Sequence, residues 1–110
     1  MSFRIQYTTV FAKALKRLAK KYPSMSTDYA ALLDDLAHDP MAGTSIGRGC
    51  YKVRMSIGSK GKGKSGGARV ITYVRVINKV VVLLTMYDKS EKENITEKER
   101  DHLIALADQI

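Results

Sequence analysis

Lys52 and Arg54 lie two residues apart in a stretch, Cys50 to Ile57, where Tyr51, Val53, Met55 and Ile57 alternate with polar residues. Residues two apart on a strand share a face. Arg69 opens the next β-branched stretch, directly after a basic loop. Antiparallel pairing of the two stretches brings Arg69 to the Lys52–Arg54 face, so that three cations converge on one concave surface. The chemistry open to such a group is the grip of a phosphate. Arginine suits it, because its planar fork donates two parallel hydrogen bonds and keeps its charge. The plainer alternative is a solvated sheet face whose like charges tolerate one another.

The loop between these strands, Gly58 to Gly67, places Lys60, Lys62 and Lys64 at every second position with glycine between. Glycine lets a backbone approach a phosphate closely, and lysines track it as point charges. The letters Gly58-Ser-Lys-Gly-Lys-Gly63-Lys-Ser65 match a P-loop, but its context of a preceding buried strand, a following helix and an acid on another strand is missing. From Met41 to Met86 there is no Asp or Glu, against nine Lys or Arg, Arg48 among them. Unopposed charge of this size suits a polyanion, with nucleic acid the leading partner.

At the exit of the last apolar stretch, Tyr87 and Lys89 in Tyr87-Asp-Lys-Ser-Glu-Lys-Glu-Asn94 offer a phenol and an ammonium to that end of the sheet. A solvated turn is the competing reading, and the better one for Glu91, Lys92 and Glu93. His38 and His102 are read as structural, His38 suiting the negative end of its helix. No Cys/His or carboxylate cluster has metal-ligand spacing, so neither a metal nor another cofactor is expected. Cys50, the one cysteine, is read as a small packed residue.

The elements that must carry these groups follow from periodicity. Phe3, Ile5 and Tyr7 alternate as a short strand. Thr8 or Thr9 then caps a helix with Phe11, Leu15, Leu18 and Tyr22 on its apolar stripe, stopped by Pro23. Ser24 or Ser26 caps a second helix carrying Tyr29, Leu32, Leu33 and Leu36, which ends at Asp39-Pro40. Met41 to Gly49 reads as connection, Cys50 to Ile57 and Arg69 to Ile77 as strands, Asn78-Lys79 as a two-residue turn, and Val80 to Tyr87 as a buried strand. Thr96 and Glu99 make a capping box for a last helix with Leu103, Leu106, Ala107 and Ile110. The order β-α-α-β-β-β-α predicts an α+β fold: a small antiparallel-rich sheet with a helical hairpin and a C-terminal helix, in one domain, 1–110. The net charge of +8 on 110 residues points to an anionic partner. With 45% apolar residues, an ordinary globular core is expected. A single cysteine and the lack of a long apolar run predict a soluble cytoplasmic protein.

Cys50-Tyr-Lys-Val-Arg-Met55, Gly63-Lys-Ser-Gly-Gly-Ala-Arg-Val-Ile71, Val80-Val-Val-Leu-Leu-Thr85 and Tyr87-Asp-Lys-Ser-Glu-Lys-Glu-Asn-Ile95, in this order of elements, resemble the RelE/HigB toxins of bacterial type II toxin–antitoxin systems. The second and fourth runs are closest to the HigB-like branch. The likeness covers most of the chain; the helical hairpin is similar in layout only.

The resemblance implies a RelE-like fold and a small ribonuclease that enters the ribosomal A site and cuts mRNA during translation. It also implies inhibition by a cognate antitoxin, often one with a helix-turn-helix domain. Arg69 then takes the place of the arginine that steadies the scissile phosphate, and Lys52 and Arg54 stand where the family keeps basic residues on the central strand. Lys89 falls where the family places a further basic residue, and Tyr87 is a candidate for base stacking or proton transfer. Lys52 is a candidate general base, since neighbouring cations disfavour an ammonium. Lys60, Lys62, Lys64 and Arg48 are expected on RNA phosphates. Two alternatives remain open on the same scaffold: a ParE-like toxin that binds a topoisomerase, and a nucleic-acid-binding module without catalysis.

Overall fold

A computed structural model describes residues 3–61 and 63–110. Five strands form one sheet in the order β1-β5-β4-β3-β2, comprising β1 (Arg4–Tyr7), β2 (Thr44–Gly47), β3 (Cys50–Met55), β4 (Ala68–Arg75) and β5 (Val80–Asp88). All pairs are antiparallel except β1 with β5. Helices α1 (Thr9–Lys21) and α2 (Met25–His38) form the hairpin, and α3 (Glu97–Ala107) comes last. Among the described residues, no helix is long and apolar enough to cross a membrane.

The expected α+β class holds, with one strand added. Thr44–Gly47, within the expected connection, pairs with β3 as an edge strand. It is only four residues long and carries one half-buried apolar side chain, Ile46, so its periodicity is faint. Its close approach depends on Gly43, whose φ is +98° and where a Cβ would sit 2.4 Å from the Lys52 carbonyl oxygen. The β4–β5 turn also differs. Val76 and Ile77 leave the strand to join a four-residue turn, and it is Lys79, not Asn78, that takes a positive φ of 52°.

One face of the sheet buries Val53, Met55, Val70, Val74, Val81, Leu83 and Met86 against Phe11, Leu18, Leu32 and Leu36 of the hairpin. The other packs Cys50, Ile71, Val82, Leu84 and Tyr87 against Leu103, Ile104 and Ala107 of α3. A β-bulge in β5 moves side chains between these layers. Ile71 pairs with Thr85 and Thr72 with Leu83, leaving Leu84 without a partner on β4. Before the bulge the even-numbered β5 residues face α3; after it Met86 joins the hairpin layer and Tyr87 turns towards α3. The Leu84 carbonyl accepts a 2.7 Å hydrogen bond from the Thr8 hydroxyl, which itself accepts from the Phe11 amide as the N-cap of α1. One threonine thus serves both the bulge and the helix start.

Candidate functional site: a groove at one end of the sheet

The register of the three central strands builds the site. Arg54 lies directly across from Arg69, and Arg69 directly across from Tyr87; two residues along β3, Lys52 faces Ile71. Cross-strand partners share a face, so Lys52, Arg54 and Arg69 stand together on the α3 side. The carboxyl end of α3 is tied to the far end of β4, where Arg75 donates to the Ala107 carbonyl (2.9 Å) and the Asp108 carboxylate (2.6 Å). The Arg54–Arg69 end is left facing a groove of about 980 Å³ whose lining includes Lys52, Arg54, Arg69, Lys89 and Asn94. Asp34, Asp35, His38 and Asp39, at the end of α2, also line it.

Gly67 sets this register. A Cβ there would stand 2.1 Å from the Met55 carbonyl oxygen, so only glycine lets the loop return tightly onto β3 and place Ala68 across from Met55, hence Arg69 across from Arg54. The Arg69 side chain is buried, and its guanidinium donates to the Ala68 and Ser65 carbonyls, both at 3.1 Å. Loop and strand together aim it. Lys52 donates to Asn94 Oδ1 at 2.6 Å. Lys89 is exposed, and its backbone amide donates to the Gly67 carbonyl at 3.1 Å, which closes the loop against the exit of β5.

Other expected residues are placed differently. Tyr87 is buried, its hydroxyl donates to the Glu93 carbonyl (3.1 Å), and burial, against the pull of Arg69, pushes its phenol above the ordinary value. It supports the segment beside the groove and does not line it. Lys60 departs most from expectation: instead of facing phosphate it turns inward to the fully buried Asp88, Nζ to Oδ1 2.8 Å. Arg48 lies at the β2–β3 turn, two residues before Cys50 and so at the opposite end of β3 from Arg54. There it pairs with Asp101 of α3 at 2.9 Å. Both cations meet carboxylates distant in sequence, although Asp101 is shared with Arg100 at 3.0 Å and Arg48 stays exposed. Lys62 and the side chain of Lys64 lie outside the described residues.

Asp88, to which the sequence assigns no role, organises this end of the molecule. Tyr22 donates to its Oδ2, and Lys60 together with the Ser90 amide and hydroxyl donate to its Oδ1. Burial alone would raise this carboxyl. The hydrogen bonds overcome that and hold it well below the usual aspartate range. His38 bonds the Asp34 carbonyl at 2.8 Å, which together with the Asp34 carboxylate raises its imidazole. The Asp88–Ser90 turn is a local signal, but the decisive partners of Asp88, Tyr22 and Lys60, and the partner of Asn94, Lys52, are distant along the chain.

Fold and groove together define an α+β scaffold with Lys52, Arg54 and Arg69 on one face at one end of its sheet. Solved structures share this scaffold. A chain of the RelBE2 toxin–antitoxin complex from Mycobacterium tuberculosis is 17% identical with a TM-score of 0.61, covering 80% of this chain and 99% of that one. A mutant of the E. coli toxin RelE in the free state is also 17% identical, with a TM-score of 0.60 and coverage of 96% and 97%. At that identity the likeness speaks for the fold. The family follows from the sequence model described as RelE toxin of the RelE / RelB toxin–antitoxin system, which matches residues 4–110. The chain belongs to the RelE toxin family.

Proposed function

We propose that this toxin is a ribosome-dependent mRNA endoribonuclease. The observation that carries the reading is the placing of Arg54 directly across from Arg69, with Lys52 on the same face of one groove. In the proposed step the 2′-hydroxyl of a nucleotide attacks the adjacent phosphorus and its proton passes to the amine form of Lys52. The bond to the 5′-oxygen breaks, and that oxygen takes up a proton from water. A 2′,3′-cyclic phosphate and a free 5′-hydroxyl result, and the step calls for no metal or cofactor. Negative charge grows on the phosphorane, so cations fixed in advance stabilise it more than the ground state. Lys89 extends the cationic lining along the groove. A ribosome presenting mRNA would supply the substrate geometry that a small open site does not.

A cognate antitoxin is the proposed regulatory partner. Family membership and the RelBE2 complex support it, and a +8 chain receives an acidic segment readily. The test is Arg69→Ala, expressed in cells and assayed on ribosomes programmed with mRNA. Growth arrest and cleavage should both vanish while the fold persists. If Arg69→Ala arrests growth as fully as the parent and mRNA stays intact, the toxin acts by another route, such as capture of a topoisomerase.

A further inference from the structure

We infer that Asn94 is the positioning residue for Lys52, holding the amine in place while leaving it able to take a proton; this rests on the nuclease reading above. Among the described contacts, the Lys52 ammonium donates to Asn94 Oδ1 at 2.6 Å. A lysine on a flexible four-carbon stem needs such a partner to keep one orientation. The amide oxygen accepts from an ammonium or from a neutral amine, so the contact survives proton transfer. A carboxylate in the same place would favour the charged form and hold the proton on Lys52.

Asn94 is exposed, but the chain beneath it is fixed. The Glu91 and Lys92 amides donate to the Asp88 carbonyl at 3.0 and 3.2 Å, closing a turn on the buried Asp88. The Tyr87 hydroxyl holds the Glu93 carbonyl one residue before Asn94. Thr96 then starts α3 through its capping box with Glu99. Other charges share the groove with Lys52. Arg54 comes from β3, Arg69 from β4, and Lys89 and Glu93 from the segment after β5; Asp34, Asp35, Asp39 and His38 come from the end of α2. Against that background, the neutral side chain in contact with Lys52 orients it without adding to the local negative charge.

Two variants separate orientation from charge. Single-turnover cleavage of mRNA on programmed ribosomes is measured from pH 6 to pH 9 for the parent, Asn94→Ala and Asn94→Asp, with thermal unfolding as the check on folding. Asn94→Ala should lose about tenfold in rate at every pH with the ascending limb unmoved, because only orientation is lost. Asn94→Asp should shift the ascending limb by about one unit to higher pH. Parent rates in both variants, or equal losses with the same limb in both, overturn the assignment of Asn94 and leave the nuclease reading standing. A parent chain that leaves ribosome-bound mRNA intact defeats the nuclease reading, and this inference with it.

Discussion

Arg54 and Arg69 stand directly opposite one another across the β3–β4 ladder, where like charges work against sheet stability. Arg69 is relieved by the Ala68 and Ser65 carbonyls, which bind the guanidinium. Arg54 stays exposed at the groove. A juxtaposition of this kind is of use when an anion enters between the two.

Arg54→Ala should therefore separate stability from function. Thermal unfolding should move little, with a change of no more than about 0.5 kcal/mol of either sign. Cleavage on programmed ribosomes should fall about 10²-fold, the loss typical of one transition-state donor. Equal activity in parent and variant would remove Arg54 from the site.

Asp88→Ala should destabilise the fold by about 1–3 kcal/mol, because it removes the buried acceptor shared by the Tyr22 hydroxyl, the Ser90 amide and hydroxyl and the Lys60 ammonium. Replacing both partners, as in Lys60→Met with Asp88→Leu, should recover only part of that loss in urea unfolding, because Tyr22 and Ser90 still lack their acceptor. The pH dependence has a definite sign. The folded carboxyl titrates below the unfolded one, so its contribution is complete above about pH 4 and declines as pH falls towards the folded value. Asp88→Asn should flatten that acid limb of the stability curve.

Lys60 and Lys89 should differ in role, Lys60 serving the fold and Lys89 meeting phosphate. Lys89→Gln should leave stability almost unchanged and lower the slope of log K against log salt for ribosome binding by roughly 0.7–0.9, the loss of one phosphate contact. Lys60→Gln should weaken the fold and leave that slope alone, since its charge is spent on Asp88. A slope change with Lys60→Gln at parent stability would return this residue to the RNA surface.

Tyr87→Phe keeps the buried ring and removes the hydroxyl bond to the Glu93 carbonyl. The expected cost is about 1 kcal/mol of stability and a severalfold loss of cleavage through the Asn94 segment. A loss of 10³-fold or more at unchanged stability would make the phenol a participant in the chemistry after all.

Much was settled by local pattern alone. Phe11 and Leu18, Leu32 and Leu36, and Leu103 and Ala107 are buried where helical spacing placed them. The Thr96–Glu99 box caps α3 as its letters require, since both of its bonds form within four residues. Alternation in Cys50 to Met55 put Lys52 and Arg54 on one side of a strand, because the pleat has a period of two. What local pattern could not carry were decisions made between distant segments. The unbroken apolar run of β5 hides the bulge at Leu84 that turns Tyr87 towards α3, and the register of Arg69 on Arg54 rests on Gly67 meeting the Met55 backbone. Lys60 and Arg48 read as phosphate ligands, but Asp88 and Asp101 reach them in space. A charge in a sequence is free until folding brings up its counter-charge, and only the tertiary structure shows which cations still face the groove.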